Sequence, residues 1–304
     1  MSIAPDPVFV LAAPFCGASR LAGDLGTHPQ LMVLPELCLF MADTVAELLD
    51  IFRMSQGPQA DGLLRAVAVL EFGAQYDAEI DGARQWLAQR ASLSVAELLM
   101  QLALRAAPRR LVIPDTESPL RPVDLRRLLR AAPQAQVIHL TRHPWTQGCL
   151  MTAWARERLF MPPDFRDHAW DPPLVDPQIP WLRANRNLET AFERLSPTQR
   201  QRLKIERLED ETAGASLADL CGWLGVSQAA PVLRGLRQPQ AWIFHGHGPR
   251  AAPYGLEAEV LEPLPVADRE RAALTVLDEP LPWRPDEAVF DAAVTALARG
   301  YGYR

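Results

Sequence analysis

The stretch Val8-Phe-Val-Leu-Ala-Ala-Pro-Phe-Cys-Gly-Ala-Ser-Arg-Leu-Ala22 constrains the fold of this chain more than any other. Val8 to Ala12 suit a buried β-strand, the residues around Gly17 suit a tight turn, and a helix opens near Ser19. A strand that runs abruptly into a helix aims several backbone N–H groups at one spot. The helix dipole adds partial positive charge there, which makes the turn an anion site. Cys16, Gly17, Ala18 and Ser19 are small enough for a phosphate to approach the backbone. An ordinary strand-to-helix connection can look the same, so a second site is needed to decide.

Val137-Ile-His-Leu-Thr-Arg-His-Pro-Trp-Thr146 supplies one. A buried strand over 137–141 is followed by Arg142 and by a helix entered through Pro144, whose missing N–H costs nothing in a first helical turn. Arg142 thus falls at the carboxyl edge of the sheet, where open α/β folds bind ligands. A guanidinium there suits bidentate phosphate recognition; an arginine so placed can instead cap a helix or pair with a carboxylate. Two strand-end anion sites imply a ligand with two separated phosphates.

With these residues in view, the chain resembles the PAPS-dependent sulfotransferases, in particular bacterial ones and the sulfotransferase domains embedded in polyketide synthases. The likeness is carried by Ala13-Pro-Phe-Cys-Gly-Ala-Ser-Arg-Leu21, Thr27-His-Pro-Gln-Leu31, Leu34-Pro-Glu-Leu-Cys-Leu-Phe40 and His139-Leu-Thr-Arg-His-Pro-Trp145. It continues in the same order through Trp181–Asn187, Leu203–Asp210 and Leu220–Val226. The resemblance covers residues 6 to 230 and, more loosely, the rest. It implies a three-layer α/β fold, a parallel sheet with flanking helices of the P-loop-like sulfotransferase kind. It also implies 3′-phosphoadenosine 5′-phosphosulfate (PAPS) as co-substrate and no metal. The first turn, Phe15, Cys16, Gly17, Ala18, Ser19 and Arg20, would take the 5′-phosphosulfate, and Arg142 the 3′-phosphate. A late Gly-rich loop containing Arg250 would close over the nucleotide.

Several positions depart from the family pattern. Phe15 and Cys16 stand where a basic residue and a hydroxyl are usual, and Ala18 replaces a second hydroxyl. Leu150, eight residues after Arg142, stands where the family has a serine on the 3′-phosphate, and Glu117 stands in place of a lysine. Each change removes a hydrogen bond worth about 1–3 kcal/mol, so several together weaken nucleotide binding by orders of magnitude. Arg20 is the nearest cation in sequence to the first turn and is the candidate to compensate. Sulfuryl transfer also needs an acceptor-side base. Glu36 and Glu117, both following strands at the same sheet edge, are the candidates. His143 reads as a residue that positions a helix start, and Trp145, Trp154, Trp181 and Trp223 read as core. His245 and His247 form an HxH pattern without a third ligand.

Composition narrows the classes. With 304 residues, 48% hydrophobic and 22% charged, the chain can bury a full core. A net charge of −6 with scattered basic residues argues against nucleic acid as partner. Lys204 is the sole lysine. Cys16, Cys38, Cys149 and Cys221 lie far apart, as reduced thiols of a cytoplasmic protein would. The opening residues lack the basic and apolar runs of a signal peptide. Nothing approaches the about 18 apolar residues of a membrane span.

Strands are expected at 8–12, 31–33, 111–114, 137–141 and 203–206. Helices are expected at 19–26, 44–56, 94–106, 122–131, 145–158, 177–195, 214–224 and 286–299, with Gly225 as a helix stop. We expect a single sulfotransferase-like domain over 1–304, with a helical insertion at 57–92 and irregular lid or loop segments at 160–180 and 236–286. Two functions stand side by side. One is an active sulfotransferase of natural-product biosynthesis, acting on a hydroxyl or amine of a small molecule or carrier-bound acyl chain. The other is a sulfotransferase-fold protein that has lost PAPS and acts as a binding module or on another reaction. The acceptor stays open, as does the oligomeric state, for which a homodimer is one option.

Overall fold

The computed structural model describes residues 4–55, 58–156, 162–209, 213–262 and 265–304. Its centre is a parallel sheet of β1 (Val8–Ala12), β2 (Leu31–Val33), β3 (Arg110–Asp115), β4 (Gln136–Thr141) and β7 (Arg200–Lys204), in the order β2-β3-β1-β4-β7. A separate antiparallel pair is formed by β5 (Arg166–Asp167) and β6 (Leu174–Val175). The helices are α1 (Ala18–Leu25), α2 (Val45–Ser55), α3 (Asp61–Val67), α4 (Asp77–Ala88), α5 (Val95–Ala106), α6 (Pro122–Ala131) and α7 (Pro144–Ala155). After them come α8 (Gln178–Phe192), α9 (Glu206–Glu209), α10 (Ala213–Leu224), α11 (Ala230–Gly235), α12 (Ala258–Leu261), α13 (Val266–Ala272) and α14 (Ala292–Gly300).

β1 lies at the centre because every one of its side chains is buried, as a parallel strand covered on both faces requires. It pairs through Val8 with Val112 on one side and Gln136 on the other. Pro114 sits in β3 beyond the point where β2 stops pairing, at Val112, so its missing donor breaks no β2–β3 ladder. Helix starts follow local chemistry. Ser94 and Glu97 form a capping box on α5, and Pro144 opens α7 behind His143, whose ring accepts the Trp145 N–H at 3.1 Å.

Four strands and most helices fall where the sequence predicts them. The fifth strand is corrected from 203–206 to Arg200–Lys204, with Glu206 already opening α9. It is an edge strand paired only with β4, so Arg200, Gln201 and Arg202 carry no apolar pattern to announce it. The last helix is corrected from 286–299 to Ala292–Gly300, because the backbone before it is held as a loop, the Asp291 N–H donating to Gln178 Oε1 at 2.7 Å. Segment 160–180 is less irregular than expected: it contains the β5–β6 pair, and α8 begins at Gln178. Residues 56, 57, 157, 158, 160, 161, 263 and 264 of the expected segments lie outside the described residues.

The segment 57–92, expected as a helical insertion, contains α3, a π-turn over Ala68–Phe72 and α4. It grips the late loop. Arg65, fully buried, donates to the carbonyls of Phe244 at 2.7 Å and Tyr254 at 2.8 Å, and to Gln75 at 2.8 Å. Gly62 is needed where the two meet: a Cβ there would lie 1.8 Å from the Glu36 carbonyl oxygen, and one on Gly255 would lie 2.6 Å from Gly62 Cα. No described helix is long and apolar enough to cross a membrane.

Candidate active site

The sheet order arranges the candidates along one carboxyl edge. Glu36 follows β2, Asp115 ends β3 with Glu117 just beyond, the Ala13–Gly17 turn follows β1, and Arg142 follows β4. The turn is built by positive backbone angles. Gly17 has φ 87° and caps α1, and Phe15 has φ 63°, which is costly for a bulky residue. Gly17 is also required sterically, since a Cβ would come within 2.7 Å of the Ile205 side chain and 3.2 Å of an Arg142 nitrogen.

The turn holds an anion, and the chain itself supplies it. The Phe15 and Ser19 N–H groups donate to the two carboxylate oxygens of Glu257, at 2.9 and 2.8 Å, and the Glu257 N–H donates to Ser19 Oγ at 2.8 Å. Arg142, 3% exposed, donates to the Phe15 carbonyl at 2.9 Å and pairs with Glu259. Burial pushes Glu257 up to about 7, with Glu259 adding to the rise and the Ser19 N–H, Arg142 and Phe15 N–H opposing it. Cys16 is buried, its N–H donates to the Ala13 carbonyl at 3.1 Å, and burial keeps its thiol protonated well above its ordinary value.

At the other end of the edge three carboxyls crowd together. Glu36 accepts from the Thr116 N–H, the Thr116 hydroxyl at 2.9 Å and the Glu117 N–H at 3.2 Å. Burial first, then Asp115, lifts Glu36 to about 8, the Thr116 N–H opposing. Asp115 accepts from the Ser118 N–H at 2.8 Å and rises to about 6, again chiefly by burial. Glu117 is raised by burial against the pull of Arg121, which lies 3.2 Å away. A carboxyl so raised is a proton acceptor poised near neutral pH.

The remaining candidates are more dispersed. Ala18 and Ser19 are buried in the first turn of α1. Arg20 is half exposed, 3.8 Å from Asp24, and lines a cavity of about 260 Å³ with Ser19, Arg142, His245 and Glu259. Leu150 lines another, of about 330 Å³, with Phe15, Trp154, Ala258 and Glu259. Trp154 therefore borders a cavity, its ring 5.4 Å from that of Phe15, where core packing was expected. Arg250 is exposed on a turn whose next residue, Ala251, is held by Asp77 and Arg84, at 2.9 and 2.6 Å. His143 caps α7, and burial drives it down to about 4. Among the described residues no three His, Cys, Asp or Glu side chains are grouped as metal ligands.

Glu257, Glu259 and Arg65 are the residues that sequence reasoning misses. A nucleotide lid directs attention to cations such as Arg250, whereas the late loop contributes carboxylates. The Glu-Ala-Glu spacing of 257–259, after Gly255, is the signal that was there to be read.

A parallel sheet with a backbone anion turn after its central strand and an arginine after the adjacent strand defines an α/β fold with oxyanion donors along its carboxyl edge. The chain belongs to the Sulfotransferase family, whose sequence profile matches residues 7–230. Among solved structures it is similar to the sulfotransferase domain from the curacin biosynthetic pathway, at 21% identity and TM-score 0.74, covering 100% of this chain and 99% of that one. It is similar also to the sulfotransferase domain of the olefin synthase of Synechococcus PCC 7002, at 21% identity and TM-score 0.73, covering 100% and 97%. At these identities the likeness is one of fold. No curated protein sequence matches the chain.

Proposed function

We propose that the protein transfers the sulfuryl group of PAPS to a hydroxyl or amine of a small molecule or carrier-bound acyl chain. One observation carries this reading: the turn after β1 and Arg142 after β4 each hold an oxyanion, in the two positions that a nucleotide with separated 5′ and 3′ phosphates would use. The carboxylates there belong to the chain, and they stand in for phosphate oxygens. The neighbours, sulfotransferase domains from the curacin biosynthetic pathway and from an olefin synthase, support a biosynthetic setting for this reading.

On this reading Glu36 takes the proton from the acceptor hydroxyl as its oxygen bonds to sulfur. The bond from sulfur to the bridging phosphate oxygen breaks, and 3′-phosphoadenosine 5′-phosphate leaves. The turn N–H groups and Arg20 stabilise the charge that gathers on the bridging oxygen. Arg142 orients the nucleotide through its 3′-phosphate, and the cavity bordered by Phe15, Leu150 and Trp154 offers an aromatic and apolar wall for adenine.

A second reading, a sulfotransferase-fold module that no longer takes PAPS, is favoured by Phe15, Leu150 and Glu117 standing where donors are usual. Calorimetry separates the two. The product nucleotide, 3′-phosphoadenosine 5′-phosphate, should bind one-to-one and raise the melting temperature at saturation. Absence of heat and of stabilisation at millimolar nucleotide, in the wild type and in a variant lacking Glu257 and Glu259, would establish the second reading.

A further inference from the structure

The segment 255–262 runs along the candidate site in the same order as the strands beneath it. The Gly255 carbonyl accepts the Glu36 N–H at 2.9 Å, Glu257 enters the turn after β1, and Glu259 reaches Arg142 after β4. Both flanks are fastened elsewhere. On one side the Tyr254 N–H donates to Asp61 at 3.0 Å, and its carbonyl accepts from buried Arg65. On the other, the Arg271 and Ala272 carbonyls of α13 accept from the Trp145 indole at 2.8 Å and the Thr146 hydroxyl at 2.7 Å.

Between these anchors the apolar hold of the segment is mostly partial: Ala258, Val260 and Leu261 pack, part-buried, against the core. Leu256 is its buried hydrophobic side chain, and α12 buries none of its residues fully. Its polar hold on the sheet edge includes a pair of carboxylates on donors suited to phosphate. Gly255, at φ 105°, gives the backbone a pivot at the boundary with the anchored loop. Bringing two like-charged carboxyls into a buried site costs desolvation that their contacts only partly offset. A phosphate carries more charge and more acceptor oxygens, and it suits Arg142 bidentately. The nucleotide and the segment therefore compete for the same N–H groups and the same guanidinium.

We propose that Gly255–Glu262 is an internal pseudo-ligand, a strap whose two carboxylates hold the nucleotide site closed and must leave it for the nucleotide to enter. The proposal rests on the nucleotide reading above. Because the cavity beside Phe15 is walled in part by Ala258 and Glu259, the same movement opens the space next to Leu150 and Trp154. Nucleotide affinity is then lowered by the fraction of molecules in which the strap is closed.

The test is a calorimetric titration of 3′-phosphoadenosine 5′-phosphate into wild type and into Glu257→Ala/Glu259→Ala. The double variant should bind at least about tenfold tighter, since binding no longer waits on strap release. Equal affinities, or weaker binding by the variant, would overturn the strap while leaving the nucleotide reading intact. No binding to either protein would remove the nucleotide reading itself, and the strap with it. Hydrogen exchange on the wild type keeps the proposal open to refutation should the variant not fold. Saturating nucleotide should speed exchange of the 256–262 amides that follow Gly255, and slowed or unchanged exchange there would contradict displacement.

Discussion

Arg142 is the residue on which the electrostatics of the site turn. It is buried, it braces the turn through the Phe15 carbonyl, and it meets a carboxylate from the late loop. The sequence places it at a strand end and leaves three roles open: phosphate binding, carboxylate pairing and helix capping. The carboxylate pairing is observed, and it is compatible with the phosphate role because one oxyanion can replace another. Arg142→Ala should weaken binding of 3′-phosphoadenosine 5′-phosphate by about 1.5–3 kcal/mol, the scale of a charged hydrogen bond. Adenosine 5′-phosphate, lacking the 3′-phosphate, should lose much less, and calorimetry of both ligands decides. Equal losses would mean that Arg142 serves only to support the turn.

Among the elements, legibility follows burial. β1 is a continuous apolar run and β4 is buried from Val137 to Thr141 because both faces are covered, and their ends, with the turn and Arg142, can be read from the chain. β7 is not legible in the same way, since an edge strand needs no apolar pattern. The 57–92 insertion reads as helical, but its task does not. Arg65 looks like any arginine on a helix until folding buries it under the Phe244 and Tyr254 carbonyls. The strap is hidden for a related reason. Its grip depends on contacts between residues more than a hundred positions apart, such as Phe15 and Glu257, which no local pattern encodes. Glu36 and Glu117 are legible as strand-end carboxylates, whereas the burial and the crowding with Asp115 that lift Glu36 emerge only when β2 and β3 pair.

Across the whole molecule, buried titratable groups link folding to pH. Glu36, Asp115 and Glu257 are raised to about 8, 6 and 7. A carboxyl raised by folding contributes stability that is present below its unfolded value and is lost as pH climbs through the folded one. His139 and His143, lowered to about 4, contribute in the opposite sense, losing their share as pH falls below the ordinary imidazole range. Above neutrality only the carboxyl trend remains. The melting temperature should therefore fall between about pH 6.5 and about pH 8.5, and Glu36→Gln, which mimics the protonated side chain, should flatten that fall. A melting temperature constant or rising over the same interval would show that Glu36 is not held protonated by the fold.

The claim that joins these scales is sulfuryl transfer at the sheet edge, with Glu36 as base. Its most direct measurement is turnover of PAPS with a panel of hydroxyl, amine and carrier-bound acyl acceptors, following the sulfated product and the released 3′-phosphoadenosine 5′-phosphate together. Wild type should form both in equal amounts. Glu36→Gln should bind the nucleotide as wild type does, yet turn over about a hundredfold to ten-thousandfold more slowly, the usual loss when a general base is removed. A Glu36→Gln protein with full transfer activity, or a nucleotide-binding wild type that sulfates no acceptor, would contradict the account.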